Sequence, residues 1–232
     1  MPDTRWIDTA DDAAFTIEAL SHLQTAIHRG IADDGRCILG FSGGSTPGPV
    51  YRALGKADGI RWDKVWIFLV DERYTDATSP DSNQFLVRSA LTDHTDIPED
   101  HLLFPDTSLP IDDCIRAYDE RLFTMLTSLH PDLVVLGMGE DGHIASLFPP
   151  VKEEAWGKTL AIRSRTDRFV VPDRVSVTFP VLTATSQSLF LLRGKPKIRV
   201  WDEMTASRDG PERWPAKEIV QRTSTTVITC GS

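Results

Sequence analysis

Near the start of the chain, apolar residues recur at helical spacing: Ala13, Ile17, Leu20, Leu23 and Ile27 share one face of a helix predicted over residues 11–29, with Gly30 as its stop. The pattern then changes from periodic to continuous. CILGF (37–41) is a short apolar run that breaks at Ser-Gly-Gly, which predicts a strand buried on both faces, and Pro47 suits the first turn of a helix through PVYRAL (49–54). The unit repeats, with KVWIFLV (64–70) as a strand broken by Asp71, Glu72 and Arg73, and SNQFLVRSAL (82–91) as a helix. Ile111, Ile115, Tyr118, Leu122, Met125 and Leu129 form the stripe of a longer helix, with Asp112 or Asp113 near its start, which leads into the strand DLVVLG (132–137). Further strands are predicted at 159–162, 174–179, 188–193 and 225–230, with a helix at 197–204 between the last two. On this reading a helix is the first element of the fold.

Strands alternating with helices need crossover connections. The chain is therefore expected to form a three-layer α/β fold, a mainly parallel sheet with helices on both faces. No repeat or low-complexity linker divides residues 1–232, so one domain is expected, and residues 150–173 are its least regular part. Ligands bind such sheets at the carboxyl ends of the strands. Three polar segments fall there: SGGSTPG (42–48), DERYTD (71–76) and GMGEDGHIAS (137–146).

Composition narrows the partners. A net charge of −9 disfavours nucleic acid, which calls for a basic face. An anionic small molecule would need a local cluster of cations and amide dipoles to overcome that field. No stretch approaches the ~18 consecutive apolar residues of a membrane helix, and the N-terminal residues lack the basic-then-apolar order of a signal peptide. Cys37, Cys114 and Cys230 are an odd count, far apart among apolar neighbours, and read as buried thiols. The expectation is a soluble, cytoplasmic protein without membrane or nucleic-acid partners, monomeric or weakly dimeric.

Two motifs invite misreading. Gly137, Gly139 and Gly142 spell the dinucleotide fingerprint G-x-G-x-x-G, but Pro149-Pro150 leaves no room for the long helix whose N-terminus faces a pyrophosphate, and no acidic residue ends the strand at 159–162. GFSGG (40–44) fits the nucleophile elbow of serine hydrolases. Ser42, however, follows the first predicted strand, with little chain before it for an oxyanion loop, and Asp141 and His143 share one loop, where a triad draws its acid and histidine from separate ones. The glycine-rich segment reads better as an anion cradle, in which small residues let successive amides and the hydroxyls of Ser42, Ser45 and Thr46 approach a phosphate at a helix N-terminus. Arg73 and Lys197 are candidates for the positive charge it needs. His143, at a predicted strand end beside Asp141, can titrate near neutrality and act as a base. His22, His28, His94, His101 and His130 fall on helix faces or ends, and none has metal-ligand spacing.

The segments FSGGSTP, DERYTDATSPDSNQFLVRSAL, GMGEDGHIASLFP and RVSVTFPVL followed by LLRGKPK together resemble the successive signatures of the 6-phosphogluconolactonase family, over residues 10–230 or so. The resemblance implies a Rossmann-like fold related to glucosamine-6-phosphate deaminase, within the glucosamine/galactosamine-6-phosphate isomerase superfamily. It also implies hydrolysis of a phosphosugar lactone, 6-phospho-D-glucono-1,5-lactone, to 6-phosphogluconate in the oxidative pentose phosphate pathway, with neither cofactor nor metal. Carried over residue by residue, it implies a catalytic base at His143 with Asp141 beside it, phosphate binding at Gly43, Gly44, Ser45, Arg73 and Lys197, and a site lined also by Ser42, Thr46, Asp71, Asn83 and Arg174. Two departures stand out, Ile144 and Pro150 where the family loop usually has Thr and Gly. Deaminases share Ile144, but they carry a proton-transferring glutamate where this chain has Phe148, and a tyrosine where it has Arg73.

Overall fold

A computed structural model describes residues 3–127 and 129–231. The elements run β1 (Thr4–Thr9), α1 (Asp12–Asp34), β2 (Cys37–Phe41), α2 (Gly48–Gly55), β3 (Val65–Leu69), β4 (Asp71–Arg73), α3 (Asn83–Ala90), β5 (Leu102–Leu103), α4 (Ile111–Leu126), β6 (Leu133–Leu136), β7 (Ala161–Arg165), β8 (Asp173–Val177), α5 (Phe179–Leu182), β9 (Gln187–Arg193), α6 (Lys195–Ala206), α7 (Ala216–Arg222) and β10 (Ser224–Cys230). Seven strands make one parallel sheet in the order β1-β10-β9-β6-β2-β3-β5. From β2 the chain builds outward through β3 and β5, then returns to place β6 on the other side of β2. That reversal opens a crevice at the carboxyl ends of β2 and β6, where sheets of this kind hold their ligands.

Strand residues alternate between two cores, as a strand's period of two requires. Cys37, Leu39, Phe41, Ile67 and Val135 pack against Phe15, Leu23 and Ile27 of α1, Tyr51 of α2 and Val87 of α3. Ile38, Phe68, Val134, Leu136 and Phe190 face the opposite way, onto Tyr118 and Leu122 of α4, Trp201 of α6 and Ile219 of α7. Both faces of the parallel sheet are thus covered, as expected. Cys37 and Cys114 are free thiols and all three cysteines are buried. Burial pushes the Cys37 thiol above its ordinary range and Cys114 up to about 11.

Several elements differ from the sequence reading. The first is a strand, because TRWIDT pairs in parallel with β10 at the sheet edge, and an edge strand that is mostly exposed carries no apolar run to betray it. Helix α1 passes through Gly30 and stops at Gly35, whose φ of 72° supplies the left-handed cap. Gly30 is instead a close-approach position, where a Cβ would lie 2.5 Å from Asp132 Oδ1. Helix α4 ends at Leu126, before Leu129. Strands β7 and β8 do not join the parallel sheet but form a three-stranded antiparallel sheet with β4, in the order β4-β8-β7. The connection from β7 to β8 is too short for a crossover helix, which leaves a hairpin. Helices α5 and α7, the strand β4 at the predicted break and the two-residue β5 were not foreseen.

Candidate active site

The glycine-rich turn begins where β2 leaves the sheet. Gly43 packs so closely on Asn83 that a Cβ would fall 1.7 Å from Asn83 Oδ1, and Gly44 holds φ 98°, so both positions require glycine. Tyr51 in α2 donates its hydroxyl to Ser42 O at 2.9 Å and pins the turn from below. Lys197, in the first turn of α6, reaches across to donate from Nζ to Thr46 Oγ1 at 3.2 Å. Burial holds this ammonium below the usual lysine range, with Glu140 opposing the shift.

Strand β4 supplies the second wall. Its middle residue, Glu72, is fully buried and accepts from the amides of Arg73 (2.7 Å), Asn83 (2.7 Å) and Gln84 (2.8 Å) and from Ser82 Oγ (3.0 Å). One carboxylate thereby ties β4 to the first turn of α3. Burial pushes Glu72 up to about 7, against four hydrogen bonds that favour its anion. Arg73, beside it, rests its Nη1 on the carbonyl of Asp81 at 2.5 Å. Asp71 receives Asn83 Nδ2 at 3.3 Å and Ser146 Oγ at 2.6 Å, which binds β4 to the loop after β6.

In that loop one glycine of G-x-G-x-x-G, Gly139, seats a histidine. Gly137 has open space beside it, while a Cβ on Gly139 would lie 2.2 Å from His143 Nδ1 and Cε1. Gly142 takes φ 91° against Trp214. No helix follows; residues 144–147 close in a tight bridge instead. The resulting turn brings His143 Nδ1 to 2.5 Å from Asp141 Oδ1, which also accepts the backbone amide of His143 at 3.2 Å. Arg168 Nη1 donates to Asp141 Oδ2 at 2.7 Å. Burial would raise the Asp141 carboxyl, but His143 and then Arg168 outweigh it and hold the group well below the usual carboxylate range. In the neutral tautomer that donates from Nδ1 to Asp141, Nε2 carries the imidazole lone pair.

A cavity of about 560 Å³ gathers these parts. Its wall includes Ser42, Gly43, Gly44, Ser45, Asp71, Arg73, Asn83, Asp141, His143, Arg174 and Lys197, so the sequence-predicted residues converge, with Thr46 joined through Lys197. Among the described residues Ser42 and His143 share no hydrogen bond, which removes the pairing that a serine nucleophile needs. Also among the described residues, no three His, Cys, Asp or Glu side chains gather as metal ligands, and no helix is long and apolar enough to cross a membrane.

A family model described as glucosamine-6-phosphate isomerases/6-phosphogluconolactonase matches residues 10–228. The chain belongs to this family. A relative from Dictyostelium discoideum, named "probable 6-phosphogluconolactonase", is 38% identical over 224 residues, covering 95% of each chain. The 6-phosphogluconolactonase of Synechocystis is 33% identical over 207 residues, 87% of this chain and 85% of that one. Among solved structures, the 6-phosphogluconolactonase of Thermotoga maritima matches with a TM-score of 0.87 at 29% identity, over 99% of this chain and 100% of the other. The chain groups with the carboxylic ester hydrolases of the family.

Two wall residues lie outside every segment the sequence reading placed at the site: Arg168 and Phe169. Arg168 and Phe169 sit at the tip of the β7–β8 hairpin, and Phe169 approaches His143 edge-on at 5.7 Å between ring centroids. Phe148 flanks the same imidazole at 4.7 Å. Recognising 161–165 and 173–177 as two arms of a hairpin would have pointed to its tip.

Proposed function

We propose that the chain hydrolyses 6-phospho-D-glucono-1,5-lactone to 6-phosphogluconate, the lactone-opening step of the oxidative pentose phosphate pathway, with His143 as general base. The observation that carries this reading is the 2.5 Å contact of His143 with Asp141 in the same cavity as the glycine-rich turn, Lys197 and Arg73. The amides of Gly43, Gly44 and Ser45 and the two cations suit a phosphate dianion, on a chain whose overall charge would otherwise repel it. Asp71, Asn83, Ser42, Thr46 and Arg174 complete the wall around the sugar.

A lactone carbonyl is already electrophilic, so water and one base suffice. Nε2 of His143 takes a proton as water oxygen bonds to C1. The tetrahedral oxyanion then collapses, the bond from C1 to the ring oxygen breaks, and the imidazolium returns its proton to that oxygen. Asp141 holds the ring and offsets its transient charge. Phe148, beside His143, offers no proton to an amino sugar, which separates this reading from deamination. All the groups come from one chain, so a monomer suffices. One domain carries the whole reaction, and the buried thiols suit a reducing cytoplasm.

The test is a lactone-hydrolysis assay corrected for spontaneous opening, run on the native protein and on His143→Ala. A base of this kind contributes about 10²- to 10⁴-fold, so the variant is expected to lose that much kcat while still binding 6-phosphogluconate. Native turnover in His143→Ala, or ammonia released from glucosamine 6-phosphate in place of lactone hydrolysis, would overturn the reading.

A further inference from the structure

We propose that Arg168 is a positioning residue for the Asp141–His143 pair, fixing the plane of the Asp141 carboxylate and keeping Nε2 of the imidazole unprotonated at lower pH. The proposal rests on the reading of His143 as base. A carboxylate that holds a histidine through one oxygen can still turn about its own bond. Here Oδ1 serves His143 and Oδ2 is taken by Arg168 at 2.7 Å, while Arg213 Nη1 donates to the Asp141 carbonyl at 3.0 Å. Every oxygen of Asp141 therefore has a donor, and among the described residues only Arg168 closes the free end of its side chain.

The hairpin that carries Arg168 is suited to the task. The amide of Thr166 donates to Pro172 O at 3.1 Å and closes the turn, and the Arg168 amide donates to Thr166 Oγ1 at 3.3 Å. Phe169, the next residue, lies edge-on to His143, and the Arg174 guanidinium stands 5.5 Å from the Phe169 ring centre. One hairpin tip thus grips both members of the pair. The same antiparallel sheet aligns Arg73 with Arg174 and Asp71 with Ser176, so one sheet sets the spacing between the phosphate-side arginine and the base. Ser176 Oγ accepts the Ser146 amide at 3.2 Å and Ser164 Oγ donates to Ser146 O at 2.6 Å, which locks the histidine loop to that sheet.

The charges facing the pair are Glu140 on its own loop, Arg168 on the hairpin, Arg174 on β8, Asp71 and Arg73 on β4, Lys197 on α6 and Arg213 before α7. Of the cations among the described residues, Arg168 and Arg213 touch Asp141, and only Arg168 touches its carboxylate. Its positive charge disfavours imidazolium, and its removal leaves Asp141 freer to stabilise imidazolium, so both effects raise the pH at which the base is lost. Arg168 is 62% exposed and Asp141 15%, so solvent screening keeps the effect moderate.

The experiment measures kcat, KM and the acid limb of kcat/KM against pH for the native protein, Arg168→Ala, Arg168→Lys and His143→Ala, each checked by thermal melting. Arg168→Ala is expected to lose about 10-fold in kcat with KM nearly unchanged, and to move the acid limb up by about half a pH unit. Arg168→Lys keeps the charge and loses the planar fork, so it should recover part of kcat with the limb at its native position. Native kcat and limb in Arg168→Ala overturn the proposal. So does a rise in KM alone, which would make Arg168 a substrate grip, and so does a loss of kcat with an unmoved limb and no rescue by lysine. Native turnover in His143→Ala would instead overturn the base reading beneath it, whatever the Arg168 variants do.

Discussion

Gly139→Ala isolates the seat of the histidine from the rest of the fold. An added Cβ would lie 2.2 Å from His143 Nδ1 and Cε1 and 2.8 Å from Asp141 Oδ1. Ordinary carbon contacts need ~3.5 Å, so the imidazole must retreat by roughly 1 Å. It cannot do so and keep its 2.5 Å contact with Asp141. The φ of Gly139 lies outside the left-handed region, so alanine meets no left-handed strain there, and its hydrogen bond to His143 O at 2.9 Å survives the change. The fold should therefore hold, with the melting temperature within a few degrees of native. A misplacement near 1 Å at a reacting group costs on the order of 10²-fold, so kcat is expected to fall about that far while binding of 6-phosphogluconate persists. Blank-corrected lactone hydrolysis, equilibrium binding of the product and a thermal melt read the three quantities separately. A folded Gly139→Ala protein with native kcat would refute the reasoning, because the ring would then work from a position the native glycine does not define.

Two further substitutions probe the other wall. Arg73→Ala is expected to raise KM about 10- to 100-fold with kcat largely kept, the size of one lost charge-assisted contact to phosphate, as steady-state kinetics would show. Glu72→Gln, studied above pH 8 where the carboxylate is ionised, sets an amide NH2 against donors that all seek an acceptor. It should cost about 1–3 kcal/mol, seen as a drop of several degrees in melting temperature, and it should raise KM because Arg73 and Asn83 lose their shared anchor.

The parallel sheet was legible because its strands are buried on both faces and therefore spell continuous apolar runs, as in CILGF and LVVL. What the sequence hid was placed by tertiary context. TRWIDT has only two apolar residues, Trp6 and Ile7, and becomes a strand because β10 offers an edge to pair with. Strand β4 is Asp-Glu-Arg, a triplet that no propensity scale assigns to a strand, and it pairs because Glu72 finds four donors inside the protein. Once β4 turns away from the parallel sheet it needs partners, and β8 and β7 supply them.

The site shows the same division. Its first layer could be read because the chemistry demands particular residue types, small ones in the turn, cations on an acidic chain and a histidine beside an acid. The glycines of G-x-G-x-x-G were ambiguous on paper, since a tight turn, a close approach and a left-handed residue are needed both to hug a pyrophosphate and to seat an imidazole. Only the neighbour each hydrogen of Gly139 and Gly142 faces, His143 in one case and Trp214 in the other, decides between them. Arg168 was invisible for a different reason. Lying 27 residues from Asp141 in the irregular stretch before β8, it becomes part of the pair only because two short antiparallel strands fold its turn back over the carboxylate. Positioning residues of this kind depend on topology rather than on residue type, so a sequence read by motif finds the base before it finds what holds the base in place.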